Sequence, residues 1–170
     1  MSDWQARIDD AESEREVVAI ARDYTGKITR EIACDGNVVV TDAKCKIVFR
    51  RIRPGVLEIQ IAGIDDGQFG TALIDEVLVA LVREGPLELF IDASDASMPA
   101  VSVAKGWTNF FAFNRKSLKR VRILVGSKAV ALTMEIVRYL SDTGDLIRIY
   151  SDRELYDAQG RAEVVSFGKA

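Results

Sequence analysis

The sequence contains no histidine. That removes the commonest general base near neutral pH, the commonest zinc ligand and every Ser-His-Asp or Cys-His arrangement. Cysteine is almost absent too: Cys34 and Cys45 form no CxxC pair and lack partners for a zinc site. They read as reduced, partly buried small hydrophobes rather than as a disulfide or a nucleophile. No catalytic metal and no cofactor is therefore expected. A basic excess is also missing, with 23 Lys and Arg against 26 Asp and Glu, a formal charge of −3. That balance argues against a general nucleic-acid surface. The local basic group Arg115, Lys116, Lys119, Arg120 and Arg122 reads as a solvated helix end. No apolar run is long enough to span a bilayer, and no basic-then-apolar leader opens the chain, so the expected location is the cytoplasm.

What is present is ordinary for a globular domain. The 170 residues are 48% apolar and 29% charged, enough for one domain with a real core. Ser2 to Tyr24 is charged and helix-prone, with Ser2 and Gln5 as a capping box and Trp4, Ile8 and Ala11 on a broken apolar stripe. Asp35-Gly36 predicts a hairpin between Ile28 to Cys34 and Asn37 to Thr41. Arg53-Pro54-Gly55 predicts a second turn, between Lys46 to Ile52 and Val56 to Ile61. From Asp65 the pattern changes to βα units. Asp65 or Asp66 caps a helix to about Arg83, with Phe69, Leu73, Val77 and Leu81 at helical spacing. Leu87 to Ile91 reads as a buried strand, and Pro99 opens a helix to about Leu118. Val121 to Val125 is the next strand, and Ser127 caps a helix ending near Gly144. Leu146 to Tyr150 is the last parallel strand. Ser151 and Glu154 cap a short helix through Tyr156 and Ala158, and Val164, Val165 and Phe167 suggest an edge strand.

This order resembles the STAS class of domains, named after sulfate transporters and anti-sigma-factor antagonists, and within it the stage-II sporulation protein AA-like branch. The carriers are Leu87-Glu88-Leu89-Phe90-Ile91-Asp92, the aromatic helix with Trp107, the strand Val121-Arg122-Ile123-Leu124-Val125-Gly126, and Ile147-Arg148-Ile149-Tyr150 with the capped helix after it. The expected fold is α/β: a mixed β-sheet with helices, STAS-like, with an N-terminal helical and β-hairpin extension. Residues 1–45 would form that extension and residues 46–170 the STAS-like domain. The resemblance implies a non-enzymatic module that binds a protein partner or an apolar, lipid-like molecule. A homo-oligomer is compatible with it. Regulatory relatives carry an Asp-Ser-Ser-Gly motif where this chain has Met98-Pro99-Ala100-Val101-Ser102-Val103. Ser102 falls near the phosphorylated position, but without that motif no phosphoswitch is expected there.

The candidate ligand or partner residues are Asp92, Ser94, Ser97, Ser102, Trp107, Phe110 and Phe113. Asp92, Ser94, Asp95 and Ser97 form the densest polar cluster, at the carboxyl end of a strand where open α/β sheets place their ligands. They either bind a ligand or satisfy loop amides and cap a helix. The alternative function is a small enzyme or anion-binding protein using this Asp92 to Ser97 loop, with Asp92 and Asp95 as paired carboxylates. Gly126-Ser127-Lys128 either cradles an anion on backbone amides or supplies a simple serine cap. Val103, Trp107, Phe110 and Phe111 share one helix face, while Phe113 projects off it. This places Phe113 at the rim of an apolar site and Trp107 beneath, or Phe113 against a neighbouring helix. The helix from Ser127 carries two apolar stripes, Val130, Met134 and Val137 against Leu132, Ile136 and Tyr139. A helix apolar on both sides calls for a second partner. The N-terminal helix, another subunit or an apolar ligand would fill that role.

Overall fold

Strand alternation sets the architecture. Leu57, Ile59 and Ile61 face one way along their strand and Glu58 and Gln60 the other, the pattern of a sheet with two different faces. The structure, a computed structural model, describes residues 28–166, with side chains through residue 160. The expected N-terminal helix over Ser2 to Tyr24, and Phe167, lie outside the described residues. Among the described residues seven strands form one sheet in chain order. They are β1 (Thr29–Ile32), β2 (Val38–Thr41), β3 (Cys45–Arg53), β4 (Val56–Gly63), β5 (Leu87–Ala96), β6 (Leu118–Val125) and β7 (Ile147–Tyr150). Strands β1 to β4 pair antiparallel, and β4 to β7 pair parallel. The switch at β4 is where hairpin signals give way to βα periodicity, because a parallel step needs a crossover helix.

Among the described residues three crossover helices and one after the last strand complete the fold: α1 (Ala72–Glu84), α2 (Val101–Asn114), α3 (Lys128–Leu140) and α4 (Arg153–Ser166). The first three cover one face of the sheet. There Ile47, Ile59, Leu89, Val121, Ile123 and Ile147 pack with Val77, Phe110, Phe111 and Val137 in the main core. Each such side chain contributes about 1.5–3 kcal/mol of burial. The other face is more polar. A small cluster of Val56, Phe90, Leu124 and Tyr156 seats α4 there. Phe90 stands between Leu89 and Ile91 on β5, so the pleat turns it to the opposite side.

Several element boundaries differ from the sequence expectation, each for a local reason. Helix α1 starts at Ala72, not at Asp65, because Gly67 and Gly70 take φ of 100° and 56° and break any earlier turn. The first hairpin is a five-residue loop over 33–37, in which the Asp35 carboxylate accepts the Asn37 backbone N–H at 3.0 Å. Strand β5 runs to Ala96, well past Ile91, since Gln60, Ala62 and Gly63 of β4 pair with Asp92, Asp95 and Ala96. Pro99 precedes the helical residues of α2, whose N-cap is Ala100, and α2 stops at Asn114. A 3-10 turn over Arg115–Ser117 then frees Leu118 to begin β6 opposite Leu87. Helix α3 stops at Leu140, short of Gly144. The α4 cap is Asp152, which accepts the Leu155 N–H at 3.1 Å, rather than Ser151. Val164 and Val165 continue α4 and do not form an edge strand.

Candidate functional site

The polar cluster is part of the sheet, not a loop. Asp92 and Ser94 sit on β5, on the face that α4 covers. Ser94 donates its backbone N–H and its hydroxyl to Asp92 Oδ1, at 3.1 and 2.6 Å. Arg153 at the start of α4 donates from one Nη to Asp92 Oδ2 and to Ser94 Oγ, both at 2.8 Å. Burial alone would push the Asp92 carboxyl up, but the bonds from Ser94 and Arg153 outweigh it and hold the group below the usual carboxylate range. Asp95 is exposed and is not among the hydrogen-bond partners of Asp92. The two do not form an acid/base pair. Sequence reasoning could not find Arg153, which lies 61 residues from Asp92.

This triad ties α4 to the sheet, and its pH signature follows. A carboxylate held below its ordinary range stabilises the fold above about pH 4, and that stability is lost as pH falls through the folded value. Arg153→Met should lower stability near neutral pH by about 1 kcal/mol, since the pair is half exposed on the arginine side. The gap from wild type should close as Asp92 protonates below about pH 4. Urea denaturation of both proteins across that range checks this. A gap independent of pH would show that Arg153 acts by packing alone.

The aromatic residues belong to the other face. Trp107, Phe110 and Phe111 form one cluster with ring centroids 5.4 to 5.7 Å apart. Beneath Trp107 lies a cavity of about 60 Å³ walled by Ile91, Ala93, Phe111, Val130 and Met134. Ser97 and Asp65 are its polar lining. Asp65 is only 8% exposed. Burial raises its carboxyl above the ordinary range, although Gly67 N–H donates to it at 3.1 Å. The sequence marked Asp65 only as a helix cap, and the Asp-Gly spacing that turns it inward reads as an ordinary loop signal. Phe113 does not rim this cavity. It is 87% exposed on the outer side of α2. Phe110 is buried in the aromatic cluster and does not line the cavity either.

The remaining candidates are dispersed. Ser102 is exposed in the first turn of α2, so packing does not bar a phosphate there, and only the missing motif speaks against one. Ser127 Oγ accepts the Val130 N–H at 3.2 Å, the simple cap. Gly126 is needed because an added Cβ would lie 2.0 Å from the Ser94 carbonyl oxygen, so this glycine serves strand packing. The basic residues do not form one surface. Arg120 pairs with Glu88 at 3.1 Å over the Phe90 ring, Arg122 is buried, and Arg115 pairs with Asp142 at 3.1 Å. Among the seven sequence candidates, only Asp92 with Ser94, and Trp107 with Ser97 and with Phe110, are brought together.

Strand order, parallel half-sheet and three helices on one face define the architecture, and over most of its length it is similar to solved structures. An anti-sigma factor antagonist from Mycobacterium paratuberculosis is 17% identical at a TM-score of 0.50, with 71% of this chain and 97% of that chain covered. An uncharacterized protein from the DUF3478 family with a SpoIIAA-like fold, from Shewanella loihica, is 14% identical at a TM-score of 0.52. There 70% of this chain and 96% of that one are covered. This chain has the SpoIIAA-like fold. No family model and no curated protein matches the sequence. In this SpoIIAA-like sheet the expected mixed pairing holds, with β5 internal between β4 and β6. Among the described residues no helix is long and apolar enough to cross a membrane.

The SpoIIAA-like layer of α2 and α3 leaves apolar side chains outside. Leu132, Ile136, Tyr139 and Leu140 form an exposed stripe along α3. The Arg115 to Asp142 pair joins the carboxyl ends of α2 and α3, so Phe113 stands at the same end as Tyr139 and Leu140. This is the second apolar side of α3 expected from its two stripes, and none of the described residues covers it.

Proposed function

We propose that the protein is a non-catalytic regulatory module of the cytoplasm whose partner is another protein, held on the outer faces of α2 and α3. The observation that carries this reading is the exposure of Leu132, Ile136, Tyr139 and Leu140 along one stripe of α3, with the exposed Phe113 at the same end of α2. Isolated surface hydrophobes are ordinary, whereas grouped ones mark interaction sites. A fold shared with an anti-sigma factor antagonist supports the same reading. Asp92, the centre of the enzymatic alternative, is already satisfied by Ser94 and Arg153. A second reading, a small apolar ligand beneath Trp107, rests on the cavity there. At about 60 Å³ it suits a ligand of a few heavy atoms, whereas drug-sized ligands occupy about 300–1,000 Å³. In the same reading residues 46–170 are the STAS-like unit, and residues 1–45 elaborate it by adding β1 and β2 at the sheet edge.

Tyr139→Glu tests the partner face. Tyr139 is 84% exposed, so the folded state should change by no more than about 0.5 kcal/mol. A protein that co-purifies with the wild type from source cells should be lost with the variant. Sedimentation of the wild type shows whether that partner is a second copy of this chain. Retention of the partner by a well-folded Tyr139→Glu protein would place its binding site elsewhere.

A further inference from the structure

The face of the sheet under α4 holds a groove that neither the partner face nor the Trp107 cavity uses. It lies between α4 and strands β3 and β4, with a volume of about 370 Å³. That is the range of small-molecule sites, about 300–1,000 Å³. Ile52, Val56 and Phe90 give it apolar walls, and Glu58, Asp157, Tyr156 and the cation Arg53 give it polar ones. We propose that this groove binds a small organic cation with an apolar body, of the alkylammonium or arylalkylammonium class.

The charge distribution selects the sign of the ligand. Glu58 faces the groove from β4, and Arg50 engages only its Oε2, at 3.3 Å. Its Oε1 has no hydrogen-bond partner among the described residues. Asp157, one turn into α4, makes no ion pair among the described residues. Arg153 is bound to Asp92 at 2.8 Å and Arg120 to Glu88 at 3.1 Å. Arg53, the cation in the lining, turns towards Glu88 at 3.9 Å, so the two lining carboxylates Glu58 and Asp157 outnumber it. Burial, with Asp92 and Asp157 adding to it, pushes the Glu58 carboxyl above its ordinary range despite Arg50. A further positive charge beside Glu58 would offset that cost. Tyr156 adds an independent sign of an unfinished site. It lines the groove and is 3% exposed, yet its hydroxyl has no hydrogen-bond partner among the described residues. Buried hydroxyls are rarely left so. An ammonium head beside Glu58 and Asp157, with a hydrocarbon or aromatic body along Ile52, Val56 and Phe90, fits both halves of the lining.

Calorimetric titration of the full chain near neutral pH tests this with 2-phenylethylamine as the cationic probe and 3-phenylpropionate as its anionic counterpart. Saturable binding of the amine and none of the carboxylate is expected. Glu58→Gln should weaken the amine about tenfold or more, as loss of a charge-assisted contact does. Ile52→Trp, at the half-exposed lip of the groove, should abolish it by filling the space. Amide chemical shifts should move at Phe90 and Tyr156 and not at Trp107. If Ile52→Trp does not fold, the isosteric Glu58→Gln and the shift map decide. The proposal is overturned by no saturable amine binding, by equal binding of the two probes, by undiminished binding to Glu58→Gln, or by shifts centred on Trp107.

Discussion

Phe111→Ala should lower stability by about 3–5 kcal/mol, whereas Phe113→Ala, two residues along the same helix, should change it by no more than about 0.5 kcal/mol. Phe111 is 1% exposed and touches Trp107 and Phe110, with ring centroids at 5.7 and 5.4 Å. It also walls the 60 Å³ cavity, so truncation merges the lost ring volume with space already empty. Rigid surroundings that cannot collapse make such a loss expensive. Phe113 has almost nothing around it to lose. Urea midpoints of the two variants separate the cases. A large loss for Phe113→Ala would mean that a part of the chain outside the described residues covers that ring. A small loss for Phe111→Ala would contradict the aromatic core.

Gly126→Ala should cost at least about 3 kcal/mol, the upper range for overpacking, because the added methyl meets backbone rather than a movable side chain. Its Cβ would lie 2.0 Å from the Ser94 carbonyl oxygen and 2.9 Å from the carbonyl carbon. Ser94 is in β5 and Gly126 directly follows β6, its parallel neighbour, so relief requires the ends of the two strands to part. Ser94 would move with them, and with it the Asp92 and Arg153 contacts. Gly36→Ala is the control. Its φ of 83° disfavours alanine, but nothing lies within 4 Å of the added carbon. Its cost should stay near the left-handed strain of about 1–2 kcal/mol. Denaturation midpoints of both variants test the comparison. Equal losses would mean that the close approach at Gly126 carries no special weight.

The fold was legible where hydrophobic period and local turns decide it. Alternation along β4, the 3.6-residue spacing of α1 and the turn at Pro54-Gly55 each depend on neighbours in sequence. The inward aromatic face of α2 and the outward direction of Phe113 follow from the same spacing. Long-range pairing was not legible. Asp92 and Ser94 look like loop residues, yet they lie within β5 because β4 pairs with Asp92, Asp95 and Ala96 and because Arg153, far along the chain, neutralises the carboxylate. The sheet face under α4 was missed for a related reason. Glu58 reads as the solvent side of a half-buried strand until Tyr156 is laid near it. Ser127 was the opposite case, since its cap needs only the residue three positions on.

The central claim is that the outer α2 and α3 surface is where this protein meets its partner. Photo-crosslinking in source cells, with a benzophenone side chain placed at Tyr139 and, separately, at Glu154 on α4, tests it most directly. Both positions are exposed, and they lie on opposite sides of the sheet. The account predicts one discrete crosslinked protein from position 139 that is absent from position 154 and is lost when Leu132→Glu is added. The same adduct from position 154, or an adduct at 139 that survives Leu132→Glu, would contradict it.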